Sequence, residues 1–261
     1  GVMIMARRKR SNRRRRGHFG ALYKLLSVLA ICAAIVIALT LFFKVDTIVV
    51  TGQERYTREE IVEASGVKPG DNLFLMNKNA VNQCIREALP YVEMVKRINR
   101  KLPDTLLIEV KECGKPLVVI QDGSAWLVSP KGKIVEQRAA GDAGEYGTIS
   151  GVQILAPSVG TKIVLATEYA ARQSSLLSLL TALEDAGMLD QVDGIHLDDP
   201  ACISMDYAGR FTVEMLYEDD YVYKLKTLSA ALDSGKIQDN MTGTFDMRRE
   251  DGRTYFIQDE R

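Results

Sequence analysis

Between Lys24 and Lys44 the chain carries no charge and reads LLSVLAICAAIVIALTLFF. Nineteen residues at about 1.5 Å per residue reach roughly 28 Å, close to the hydrocarbon thickness of a bilayer. A charge at the bilayer centre costs a few kcal/mol, so a clean run of this length predicts a transmembrane helix over 25–43. The run ends in the bulky Leu41-Phe42-Phe43, and Ala38-Leu39-Thr40 is a poor match to a cleavage site. It therefore reads as a retained anchor and not as a signal peptide, whose apolar region is usually about 7–15 residues.

A different pattern starts almost at once. Val45 to Thr51 is rich in β-branched residues, with Ile48 and Val50 on one face, and Gly52 ends it. Thr57-Arg58-Glu59-Glu60 fits a capping box ahead of Ile61 and Val62, with Gly66 as the helix stop. Asn77 caps a second helix whose apolar stripe is Val81, Cys84, Ile85 and Ala88, stopped by Pro90; Cys84 reads as a packing residue. Val92 to Ile98 is strand-like, Pro103-Asp104 turns, and Leu106, Ile108 and Val110 alternate with charged residues in a third strand. The order is β-α-α-β-β over 44–112.

Beyond Gly114-Lys115-Pro116, strands are expected at Leu117 to Ile120 and Ala125 to Val128, followed by a turn into Ile134-Val135. Residues 137–151 are Gly-rich and polar and read as a mobile connection. Glu168 to Ala186 predicts an amphipathic helix with Leu176, Leu180 and Leu183 on its stripe and Gly187 at its end. Strands follow at Ile195 to Leu197, Cys202 to Tyr207 and Phe211 to Leu216, the last two joined at Ala208-Gly209. Tyr221 to Ser234 predicts a helix with Tyr221, Leu225, Leu228 and Leu232 inward. Thr244 to Arg248 and Arg253 to Ile257 close the chain as strands around Asp251-Gly252, a two-residue hairpin signal. The fold class is α+β: one N-terminal transmembrane helix, a small β-α-α-β-β module over 44–112, then a larger mixed domain over 113–261. That domain is expected to hold an antiparallel-rich sheet with flanking helices.

Charge sharpens the picture. The formal net charge is zero, yet nine basic residues lie at or before Lys24 with no acidic one among them. The remaining residues carry 25 basic against 34 acidic side chains, a net of −9. Lys and Arg beside a membrane segment stay on the cytoplasmic side, so residues 1–24 read as a cytoplasmic tail and everything after Lys44 as exported. RRKRSNRRRR could instead bind nucleic acid, but no interleaved aromatic residues support that. No nucleic-acid partner is expected; contact with lipid headgroups is.

Candidate chemistry is sparse. Cys32, Cys84, Cys113 and Cys202 form no CxxC pair, which argues against a zinc site or a disulfide framework. His18 sits in the basic tail, leaving His196 for any triad or metal site with Asp198 and Asp199. His196 alternates with Ile195 and Leu197 and is expected to face solvent, and no G-x-S-x-G elbow accompanies it. Gly141, Gly144 and Gly147 do not follow a phosphate-binding order. No catalytic, cofactor or metal residues are expected. Ala30, Ala34 and Ala38 form a small-residue stripe through which another membrane helix could pack.

Four stretches together resemble the FtsQ/DivIB family of bacterial cell-division proteins: FFKVDTIVVTGQERYTREEIVEASGV, LPYVEMVKRINRKLPDTLLIEVKE, SAWLVSPKGKIVE and TGTFDMRREDGRTYFI. The first two are similar to the POTRA module that the family carries directly outside the membrane, and FDMR is similar to its late strand motif. The resemblance implies a non-enzymatic, single-pass scaffold at the division septum, N-terminus cytoplasmic and C-terminal domains extracytoplasmic. Its partners would be small bitopic coiled-coil proteins (FtsB/DivIC- and FtsL-like) and, through them, the septal peptidoglycan synthesis machinery. Carried over by motif, Arg248 matches the arginine of the strand, Gly252 the glycine of the turn, and Phe256 or Ile257 the late aromatic position. Phe245, Arg253 and Tyr255 complete the expected docking strand pair. Two other classes fit parts of the chain: a POTRA-bearing envelope assembly or transport component, and a membrane-tethered hydrolase.

Overall fold

The computed structural model describes residues 19–238, 240–249 and 253–259. His18, the basic residues Arg7 to Arg16 and the expected turn Asp251-Gly252 lie outside the described residues.

Helix α1 spans Phe19–Phe42. Its segment Leu22–Phe42 has mean hydropathy 2.9, has no buried residue, and is long and apolar enough to cross a membrane. The helix continues N-terminally past Lys24, because the charge-free window measures hydrocarbon length and not where helical hydrogen bonding begins.

The next unit is a three-stranded sheet in the order β1-β3-β2, from β1 (Thr47–Thr51), β2 (Val92–Lys101) and β3 (Thr105–Glu112). Strand β1 runs parallel to β3, and β2 antiparallel to it. Helices α2 (Arg58–Ser65) and α3 (Lys78–Ala88) cover one face. Both begin as their sequences direct. Thr57 and Glu60 form the reciprocal capping box, Gly66 closes α2 in the left-handed region, and the Asn77 side chain accepts from two α3 amides. Val81, Ile85 and Leu89 carry the α3 stripe inward, whereas Cys84 and Ala88 are exposed. The packing role expected of Cys84 is thus corrected: the stripe turns toward Leu89, the position Pro90 leaves as the helix stop.

The larger unit is a nine-stranded sheet in the order β12-β11-β10-β9-β8-β7-β4-β5-β6. Its strands are β4 (Leu117–Gln121), β5 (Ser124–Val128), β6 (Ile134–Ala139), β7 (Thr148–Ser150), β8 (Val192–His196), β9 (Cys202–Tyr207), β10 (Phe211–Leu216), β11 (Gly243–Asp246) and β12 (Tyr255–Gln258). Five neighbouring pairs are antiparallel, and three are parallel: β4–β7, β7–β8 and β10–β11. Two of the parallel pairs are bridged by helices, α4 (Ala170–Asp185) between β7 and β8 and α5 (Tyr221–Asp233) between β10 and β11, as a parallel crossover requires.

Residues 137–151 are not a mobile connection. They contain the end of β6 and all of β7, a central strand with Ile149 buried between β4 and β8. The glycines that suggested a loop serve close backbone approach: a Cβ on Gly147 would collide with the Val192 carbonyl, and one on Gly151 with the Asp198 backbone. Gly151 also sits at φ +73°, in the left-handed region. The two-residue hairpin is corrected as well. Asp246 pairs with Tyr255, so the connection is longer than Asp251-Gly252.

One face of this sheet is covered by α4 and α5 around Leu176, Leu180, Leu183, Leu225 and Leu228. On the other face the β4–β6 end packs Val118, Leu127 and Val135 against Tyr91 and Tyr56 of the smaller unit. The Tyr91 hydroxyl donates to Glu136, and the Cys113 amide donates to the Tyr91 carbonyl at 2.9 Å. Farther along that face nothing among the described residues covers the strands. A single row crosses it from Thr148 through Gly194, Asp206, Thr212 and Thr244 to Ile257.

Candidate docking edge

Strand β12 ends the sheet, and among the described residues no strand pairs with its outer side. The Asp259 amide donates to the Thr242 carbonyl at 3.1 Å. In an antiparallel pair hydrogen-bonded positions alternate, so Ile257 and Tyr255 face β11, while the backbone groups of Phe256 and Gln258 point outward. These groups are available to a further strand.

The edge rests on a rigid base. Phe245 lies 1% exposed beneath it, with ring centroids 5.3 Å from Phe211 and 4.9 Å from half-buried Phe256. Past β11 the chain is tied down twice. The Met247 amide donates to the Glu214 carbonyl at 2.9 Å, and the buried Lys224 ammonium donates to the Met247 carbonyl at 2.6 Å while pairing with Asp219 at 3.3 Å. Arg248 grips Asp246 through Nε and one terminal nitrogen, both at 3.0 Å, and reaches Glu214 at 3.0 Å. That fork-to-fork bond holds the Asp246 carboxyl below its usual range. The Arg249 guanidinium stacks 4.8 Å over the Tyr255 ring. Tyr255 and Ile257 remain exposed, at 41% and 58%.

The structure thus divides the expected docking residues. Tyr255 and Phe256 lie on the edge strand, and Arg253 is exposed just before it. Phe245 is a core residue that supports the strand, because alternation turns its ring to the helix-covered face. Arg248 already has two carboxylate partners within the chain. Gly252 lies outside the described residues. The hydrophobic pattern does not single out Lys224, although a lysine three residues after Tyr221 and one before Leu225 falls inside the apolar stripe of α5. Ala30, Ala34 and Ala38 are exposed along α1.

The polar face of the sheet holds the one histidine the structure describes. His196 is half-buried and not simply solvent-facing. Its Nδ1 lies 2.8 Å from Ser150 Oγ and its Nε2 2.8 Å from Asp206 Oδ2. Ser150 Oγ also donates to Asp198 at 3.0 Å, and Thr212 donates to the other Asp206 oxygen at 3.0 Å. In a nucleophilic triad the imidazole takes the serine proton. Here an adjacent carboxylate competes for that proton, and Gly194 leaves the ring room to lie flat across the strands.

A family model described as the FtsQ-type POTRA domain matches residues 43–112. A cell division protein FtsQ of Geotalea daltonii is 28% identical over 199 residues, covering 74% of this chain and 68% of that protein. An FtsQ of Syntrophotalea carbinolica is 30% identical over 190 residues, covering 72% of this chain and 64% of its own length. A DivIB of Clostridium botulinum is 25% identical over 218 residues, with 83% of each chain covered. This chain belongs to the FtsQ/DivIB family. The POTRA match coincides with the three-stranded unit that follows α1, and the matches to FtsQ and DivIB extend beyond it into the nine-stranded sheet. As a member of the FtsQ/DivIB family the chain is a cell-division protein with an apolar N-terminal helix, a POTRA domain and a mixed, sheet-rich domain.

Proposed function

We propose that this protein is a non-enzymatic bitopic scaffold of the bacterial divisome. The N-terminal tail lies in the cytoplasm, and the modules over 44–112 and 113–261 are extracytoplasmic, at the septum. The second module docks small coiled-coil division proteins (FtsB/DivIC- and FtsL-like), and through them the septal peptidoglycan synthesis machinery. The observation that carries this reading is the open edge of β12, whose outward amides and carbonyls at Phe256 and Gln258 lie on a pinned aromatic base. Strand addition satisfies those groups, and exposed Tyr255 and Ile257 supply side-chain selectivity. Amide exchange on the full chain, free and mixed with the coiled-coil division protein of the same cell, tests it. The Phe256 and Gln258 amides are expected to slow on binding; protection confined to other segments overturns the reading.

The chain of Ser150, His196 and Asp206 favours a second reading, a membrane-tethered hydrolase. His196→Ala separates the two: a scaffold divides normally with the alanine, a hydrolase using this site does not.

A further inference from the structure

Helix α1 does not simply lead into the POTRA domain; a loop of that domain returns to it. Asn72 donates its side-chain amide to the Leu39 carbonyl at 3.0 Å and the Thr40 carbonyl at 3.3 Å, in the last turn of α1. Its own oxygen accepts from the Phe74 and Leu75 amides at 2.8 and 3.1 Å, and the Leu73 amide donates to the Phe43 carbonyl at 2.9 Å. The Phe74 ring meets Phe43 edge-on, centroids 5.0 Å apart. Arg100 braces the loop from behind by donating to the Met76 carbonyl at 2.9 Å. The turn between β2 and β3 joins the same end, where the Asp104 carbonyl accepts from the Asp46 amide at 2.8 Å.

This arrangement presents apolar side chains where a soluble domain would hide them. Phe74 is 45% exposed, Leu75 76% and Leu102 57%, beside an α1 end that is itself apolar to Phe43. Lys44 and Lys101 flank them, both exposed. The charge-free run of 19 residues spans roughly 28 Å, so the Leu39–Phe43 turn falls at the edge of the hydrocarbon layer. Apolar and aromatic tips ringed by lysine are the composition favoured at that depth.

We infer that the POTRA domain stands on the membrane through a second foot: Phe74 and Leu75, with Leu102, insert into the glycerol–acyl boundary of the leaflet at the C-terminal end of α1. The occupant is the bilayer that α1 crosses. The inference rests on α1 spanning that bilayer and on neither the partner-docking reading nor the direction of insertion. Two contacts, helix and foot, fix the tilt of the domain where a single helix would leave it free to swing.

The full chain reconstituted into phosphatidylcholine–phosphatidylglycerol vesicles provides the test. Flotation with the vesicles after alkaline washing first establishes that α1 is inserted, and failure to float overturns the premise and the inference together. The Leu75→Trp variant is then compared with the unsubstituted chain, whose single tryptophan is Trp126, and with a Glu54→Trp variant that carries its indole beyond the far end of β1. The indole introduced by Leu75→Trp is expected to emit to the blue and to be quenched most by a nitroxide placed high on the acyl chain. Iodide in the water should quench it weakly. Emission and iodide quenching equal to those of the Glu54→Trp variant, with no added quenching by lipid nitroxide, overturn the inference.

Discussion

The side-chain amide of Asn72 lies 3.0 Å from the carbonyl oxygen of Leu39, joining the loop between α2 and α3 to the last turn of the apolar helix. The Leu39 carbonyl also accepts from the Phe43 amide at 3.4 Å, whereas the Thr40 carbonyl, which Asn72 reaches at 3.3 Å, is among those a helix C-terminus leaves without an intrahelical partner. The domain can therefore start two residues after Phe43 without a linker, because its own loop caps the helix.

Replacing Asn72 by alanine removes four hydrogen bonds around this junction. Each contributes about 0.5–1.5 kcal/mol net, so the Phe74 and Leu75 amides are expected to exchange up to about tenfold faster per lost bond. Amide exchange by mass spectrometry on the detergent-solubilised chain reads this directly, and unchanged rates would show that the hub is idle.

On the edge strand β12 two proline substitutions separate binding from folding. Gln258→Pro deletes an N–H that points away from β11, so thermal stability should hold while affinity for a strand-adding partner falls. Ile257→Pro deletes an N–H directed at β11 and is expected to cost roughly 1 kcal/mol or more of stability. Equal melting temperatures for both variants would refute the assigned register.

The Arg248–Asp246 pair carries a pH signature. Arg248 depresses the Asp246 carboxyl, first through its hydrogen bond and then through its charge. A carboxyl depressed in the folded state contributes stability that is complete above its unfolded value, about 3.9, and lost as pH falls through the folded value. The melting-temperature gap between the unsubstituted chain and Arg248→Gln should therefore stay constant from neutrality to about pH 5 and close on further acidification. Glutamine is the informative replacement, since Arg248→Glu would set a third carboxylate beside Asp246 and Glu214.

Gly147→Ala tests the central position of β7. The added methyl meets the Val192 carbonyl inside the sheet, and forcing an atom into a packed core costs about 1–3 kcal/mol. Urea denaturation with a midpoint unchanged from the unsubstituted chain would return this segment to the status of a loop.

Much of the molecule was determined by local sequence. The charge-free run made α1, T-x-x-E and Asn77 placed the starts of α2 and α3, and the alternation of Leu106, Ile108 and Val110 named the inward face of β3. These features depend on neighbours a few residues apart, so the pattern alone carries them. Other features depended on what lies across space. Strand β7 is three residues long and shows no period of its own; it is a strand because β4 and β8 hold it on both sides. His196 met Ser150 and Asp206, 46 and 10 residues away in the chain, only when three strands came into register. Arg248 acquired its second carboxylate partner only when β10 and β11 paired and set Glu214 beside it. Asn72 became a helix cap only once the chain had folded back on α1, a contact between residues 33 positions apart. Short-range hydrogen bonding and hydrophobic period write elements into a sequence, whereas polar side chains acquire their partners from the topology that assembles those elements.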